Sequence, residues 1–134
     1  MDEDTRAVIR LRLAKAGEDI ETSRELIELG RYRVSATRSY YAVFTITTAV
    51  LLTKELVRDK HAGVQGAFGE HFVQSGDIER EYGRIFSVAR KAREESDYAD
   101  QLTFTREYAE KHLADAELFV ARMERYLKDV GAIE

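Results

Sequence analysis

Apolar residues recur along most of this chain at alternating steps of three and four, the spacing that lines one face of an α-helix. In the first such stretch, about Asp4 to Leu29, Leu13, Ala16, Ile20, Ser23 and Ile27 share a face, and Gly30 follows as a left-handed stop. The second runs from about Tyr32 to Leu56. Tyr40, Tyr41, Phe44, Thr48, Leu51 and Leu52 mark one face, and Val43, Ile46 and Val50 widen it, so this helix is expected to be buried on most sides. Its β-branched run Thr45-Ile46-Thr47-Thr48 would suit a strand, but no second strand exists to pair with it. A third helix is predicted from about Lys60 to Gln74, with Asp59 as a cap, the stripe Val64, Phe68, Phe72, and Gly76 at its end. The fourth is expected to start with Asp77 as N-cap and to end near Ser96, with Ile78, Tyr82, Ile85, Ala89 and Ala92 inward. After a polar connection from Asp97 to Thr103, a fifth runs from about Thr105 to Lys128 with Ala109, His112, Ala116, Phe119, Met123 and Tyr126 in register. The fold class predicted is therefore all-α, an up-and-down bundle of about five helices, forming a single domain over residues 1–134.

Composition sharpens this. The chain has no proline, where average usage would place about seven, which favours long uninterrupted helices. A hydrophobic fraction of 44% supports a genuine core. The net charge of −4 excludes a generic nucleic-acid binder, so no DNA partner is expected and any RNA contact needs a local basic patch. The absence of cysteine removes disulfides, thiolate nucleophiles and cysteine metal sites. The longest uncharged run, Ser39 to Thr53, is too short for a membrane span, and the Met1-Asp2-Glu3-Asp4 start is acidic where an export signal is basic. A cytoplasmic protein without membrane contact is expected.

Candidate chemistry is sparse. His61, His71 and His112 form no pair at metal-ligand spacing, and Glu70 and His71, as neighbours, should not face each other, so no metal and no cofactor are expected. No phosphate loop, dinucleotide fingerprint or nucleophile elbow is present. Gly63, Gly66 and Gly69 lie three apart and read as a surface for close helix packing rather than as a phosphate cradle. Basic residues gather locally at Arg31, Arg33 and Arg38, at Arg58, Lys60 and His61, and along Arg80, Arg84, Arg90, Lys91 and Arg93. The most informative stretch is Arg93-Glu94-Glu95-Ser96-Asp97-Tyr98, where the fourth helix stops. There an arginine can meet the exposed carbonyls of the helix end, or can turn into a groove with Asp97 and Tyr98 and bind phosphate bidentately, with tyrosine stacking on a base.

Three blocks in order, Arg38-Ser39-Tyr40-Tyr41-Ala42-Val43-Phe44, Lys60-His61-Ala62-Gly63-Val64 with Phe68 and Phe72-Val73 following, and Arg93 to Tyr98, resemble those of small stand-alone HEPN-domain proteins over roughly residues 6 to 130. The resemblance implies a helical bundle that pairs into homodimers and, in many members, a metal-independent endoribonuclease. Some members are toxins encoded beside a minimal nucleotidyltransferase, which makes such an enzyme an expected partner. It implies a site of Arg93, Tyr98 and His61 as catalytic candidates, with Arg38, Arg93 and Asp97 binding RNA or nucleotide at a groove between protomers. The family motif places a histidine four to six residues beyond its arginine, and counting from Arg93 that place holds Tyr98. A phenol with a pKa near 10 is a poor base at neutral pH, so weak or absent cleavage is expected. The alternatives are a non-catalytic dimer that recruits a nucleotidyltransferase and a structural helical adaptor. Arg106 and His112 match the motif's spacing with five residues between, but His112 lies on an apolar stripe and reads as a packed core histidine.

Overall fold

A computed structural model describes residues 1–96 and 103–134. Its elements are α1 (Glu3–Glu28), α2 (Tyr32–Leu52), α3 (His61–Phe68) continued by a π-helical turn (Gly69–Val73), α4 (Arg80–Glu95) and α5 (Arg106–Asp129). The all-α class and the bundle are as the periodicity predicts, and there is no strand among the described residues.

Helix ends follow local hydrogen bonding. Asp2 caps α1 by accepting from the Thr5 amide at 2.7 Å, and Thr105 caps α5 by accepting from the Tyr108 amide at 3.2 Å. Gly30 adopts φ +75° just beyond α1, as a helix stop requires. Three expected boundaries shift. The second helix ends at Leu52, not Leu56, because Glu55 turns left-handed at φ 59° and the Leu56 amide closes back on the Leu51 carbonyl at 3.0 Å. The third begins without Asp59, since Lys60 holds the capping position with no side-chain bond. The fourth begins at Arg80, not at Asp77. Asp77 cannot cap it because its carboxylate is taken by Lys54 at 2.6 Å and Ser75 at 3.1 Å.

The core is built around α2, which α1, α3, α4 and α5 surround. Ala42, Val43, Ile46, Ala49, Val50 and Leu51 are completely buried within this one chain. That part of α2 is covered without a second copy, while Tyr41, Phe44 and Thr48 stay only half-buried. Phe119 of α5 meets Phe68 at 5.6 Å and Phe86 at 6.2 Å between ring centroids, tying α3, α4 and α5 together. Each such buried aromatic contributes about 1.5–3 kcal/mol. Ser23 of α1 bonds the hydroxyls of Ser35 and Ser39 on α2 at 2.9 and 2.8 Å, a fully buried polar clasp that fixes the register of the hairpin.

The glycines of α3 do not do what their spacing suggests. A side chain added at Gly66 or Gly69 would meet open space, so no partner helix approaches there, and Gly63 faces only the stem of Arg58. In the π turn, Glu70 and His71 come within 3.6 Å of each other despite being neighbours, which is another departure from expectation. No described helix is long and apolar enough to cross a membrane.

Candidate functional site

Three elements deliver polar side chains to one place on the half-buried face of α2. Arg38, Tyr41 and Phe44 follow one another at steps of three, so they stack along that face. The turn after α2 sets His61, the first residue of α3, against Tyr40, Tyr41 and Phe44, with centroid distances of 5.5, 6.1 and 4.4 Å. The C-terminal half of α4 adds Arg90 and Arg93, the latter in its last turn.

Tyr41 is the centre. The guanidinium carbon of Arg38 sits 4.7 Å from its ring centroid and that of Arg93 sits 5.9 Å away. Both lie within the range of cation–π attraction. Arg38 is steadied by Asp19 of α1 at 3.1 Å. Burial pushes the Asp19 carboxyl up, partly offset by the adjacent Arg38 charge. Arg93 makes no ion pair with a carboxylate among the described residues; its carbonyl accepts from the Ser96 hydroxyl at 2.6 Å at the helix end. Arg90 is engaged, bonding Gln65 of α3 at 2.9 Å and Glu94 at 3.1 Å.

His61 is poised as a neutral donor. Its Nδ1 lies 2.5 Å from the hydroxyl of the fully buried Tyr40. Burial pushes the Tyr40 phenol up to about 12, so it keeps its proton, and among the described residues Nδ1 is the only partner of that hydroxyl. Tyr40 therefore donates, Nδ1 accepts, and the ring hydrogen resides on Nε2. Burial, together with the charges of Arg93 and Arg90, holds the imidazole below its ordinary 6.5. The ring is uncharged at neutral pH and offers an N–H rather than a lone pair at Nε2.

Of the site residues expected from sequence, the fold brings Arg38, His61 and Arg93 together. Asp97 and Tyr98 lie outside the described residues. Sequence reasoning treated Tyr40 and Tyr41 as core and missed both roles, the platform and the histidine's partner. The signal was present in Tyr41 standing three residues after Arg38 on a helix face. His112 is a core histidine as read, buried beside Tyr108 with ring centroids 4.5 Å apart. No group of histidines and carboxylates among the described residues could hold a metal ion.

Two arginines and a neutral histidine thus gather on the half-buried Tyr41 of an all-α bundle. The chain belongs to the HEPN family, whose domain description matches residues 9–126. Among its relatives, a Methanocaldococcus jannaschii protein named "Putative toxin MJ0605" is 38% identical over 130 residues, covering 97% of this chain and 96% of that protein. A second from the same organism, "Putative toxin MJ0142", is 30% identical over 86% of this chain and 78% of its own length. A Thermotoga maritima "UPF0332 protein" is 30% identical over 87% of this chain and 88% of its own length.

Proposed function

We propose that this HEPN protein acts in a toxin–antitoxin or related defence system and binds single-stranded RNA at the Arg38–Tyr41–Arg93 cluster, with little or no ribonuclease activity. The observation that carries the reading is the pair of guanidinium groups, from α2 and α4, held over one tyrosine ring. Guanidinium groups grip phosphate bidentately and an unpaired base can stack on an aromatic or guanidinium plane, so the cluster offers both halves of a nucleotide. The names of the relatives from Methanocaldococcus jannaschii supply the toxin context.

Weak cleavage follows from chemistry. Attack by the neighbouring ribose hydroxyl needs a base for that hydroxyl and a cation for the phosphorane charge. Arg93 supplies the cation. His61, the one imidazole in reach of the cluster, has its Nδ1 occupied by Tyr40 and presents Nε2–H, which can donate to a phosphate oxygen but cannot accept a proton. Tyr98, at the motif's histidine position, is a poor base.

A homodimer with RNA at the boundary between protomers completes the proposal, the half-exposed face of α2 being the side a second copy would frame. Light scattering that returns only 15.4 kDa would remove the dimer from it. The main test is a titration of fluorescent single-stranded RNA at low salt, run beside a gel assay for cleavage. The proposal expects salt-sensitive binding without appreciable cutting, unchanged by a chelator, and a rise in cutting for Tyr98→His. It fails if no RNA binds at low salt, or if the unaltered protein cuts RNA rapidly.

A further inference from the structure

South of Tyr41 along the same face of α2 the surface continues into a groove of about 270 Å³ between α1 and the turn that precedes α3. Phe44, Thr45 and Thr48 form its floor, and Arg12, Lys15 and Arg58 stand around it, with Asp59 as its one carboxylate. Phe44 belongs to both places, since its ring lies 4.4 Å from that of His61. Tyr41, Phe44, Thr45 and Thr48 recur at helical spacing, so the floor is one continuous stripe about 10 Å long at 1.5 Å per residue. Two of the three cations are held by backbone carbonyls. Arg12 reaches across from α1 to the Thr48 carbonyl at 3.3 Å, and Arg58 bonds the Val57 carbonyl at 2.8 Å while its stem lies against Gly63. Some cations elsewhere pair with carboxylates, as at Arg24, Lys54, Arg106, Lys111 and Arg122, and others, such as Arg10, Arg33 and Arg125, make no such pair among the described residues. Arg12, Lys15 and Arg58 make no such pair among the described residues, and all three line this groove.

We propose that this groove is a second phosphate-binding segment, which receives the continuation of a single RNA strand whose first nucleotide sits on Tyr41. The inference rests on the RNA-binding reading above and extends it from a nucleotide-sized contact to a track. A single strand fits better than a duplex because Tyr41 and Phe44 are half-exposed aromatics to which only unpaired bases can present a face. Lys15 and Arg58 are exposed and point-like or fork-shaped cations, suited to successive phosphates, and Arg12 fixes the groove wall.

The test uses the whole chain with two labelled probes, a dinucleotide and a strand of about twelve nucleotides, a length within the usual range for single-strand sites. Lys15→Gln with Arg58→Gln is expected to weaken the longer strand about tenfold. It should also lower the salt slope of its binding by about 1.4, the loss of two phosphate contacts on a single strand. Dinucleotide binding should stay as it was. If the double variant fails to fold, either single variant reads half the slope change. Unchanged affinity and slope for the longer strand, while Arg93→Ala still weakens both probes, would overturn the track and leave the Tyr41 site standing. Failure of either probe to bind the unaltered protein would overturn both. Loss of a dimer in sedimentation, with RNA binding unaffected, would assign the groove to contact between copies and also overturn the track.

Discussion

Arg122 and Arg93 are both cations set against a tyrosine at the edge of the aromatic core, 6.0 Å from Tyr82 and 5.9 Å from Tyr41 respectively, yet they are held in opposite ways. Arg122 is only 9% exposed. It grips Glu79 with two nitrogens, at 2.7 and 3.3 Å, and donates to the Asp77 carbonyl at 3.1 Å. Its charge and its donors are spent inside the molecule, tying α5 to the segment before α4. Arg93 has the ring beneath it, no carboxylate pair among the described residues, and a second guanidinium across the same tyrosine. A saturated, buried arginine holds a fold together. Under the RNA-binding proposal, a half-buried arginine that shares an aromatic platform with another cation is the one left to meet an anion from outside.

The largest expected effect breaks the first member of this pair. Arg122→Ala removes charge-assisted hydrogen bonds at a buried position and should lower stability by about 2–3 kcal/mol in urea denaturation. The partly exposed Glu79 left behind can be rehydrated, which keeps the loss below that of a fully buried ion pair. RNA affinity of the folded fraction should not change.

Next in size is the pH dependence of stability. His61 and His112 are both held below their ordinary 6.5, each by burial first and by nearby cations second, Arg93 for His61 and Lys111 for His112. The unfolded chain therefore binds more protons than the native one once the pH falls to about 6.5. Stability should be level above that value and decline as the pH drops through it toward the lower native values. Denaturation midpoints at pH 7.5 and 5.5 check the sign. A rise on acidification across that window would mean that the histidines gain, rather than lose, charge-stabilising partners on folding. The smallest stability effect is expected for Arg93→Ala, within about 0.5 kcal/mol, because a helix-end arginine with solvent access contributes little.

The helices and most inward stripes were legible because burial repeats with the helical period, and Phe68 and Phe119 had no other place to go, but in α4 the predicted stripe passes through Ile85, whereas its neighbour Phe86 is the fully buried one. The ends were less so. Asp77 reads as an N-cap by residue type, but Lys54, distant in sequence, claims its carboxylate, and nothing local reveals that competition. The glycine spacing in α3 suggested a packing surface because spacing reports which residues share a face, not what lies opposite. Within the candidate site, Arg38, His61 and Arg93 were marked by the local basic clusters and by the resemblance to the HEPN sequence blocks. Their meeting on Tyr41 could not, since it depends on how the turn after Leu52 returns His61 to α2 and on where α4 ends. The proton position on His61 was equally hidden, being set by a buried phenol twenty-one residues earlier.

The most direct test compares the two arginines on the same ligand. Labelled single-stranded RNA is titrated by fluorescence anisotropy at one fixed salt concentration into the unaltered protein, Arg93→Ala and Arg122→Ala, under conditions where melting curves show all three folded. Loss of one charge-assisted contact to phosphate is worth about 1.4 kcal/mol or more, so Arg93→Ala should weaken binding at least tenfold while Arg122→Ala binds as the unaltered protein does. Equal affinity for Arg93→Ala and the unaltered protein, or an equal loss in both variants, would contradict the assignment of the Tyr41 cluster as the RNA site.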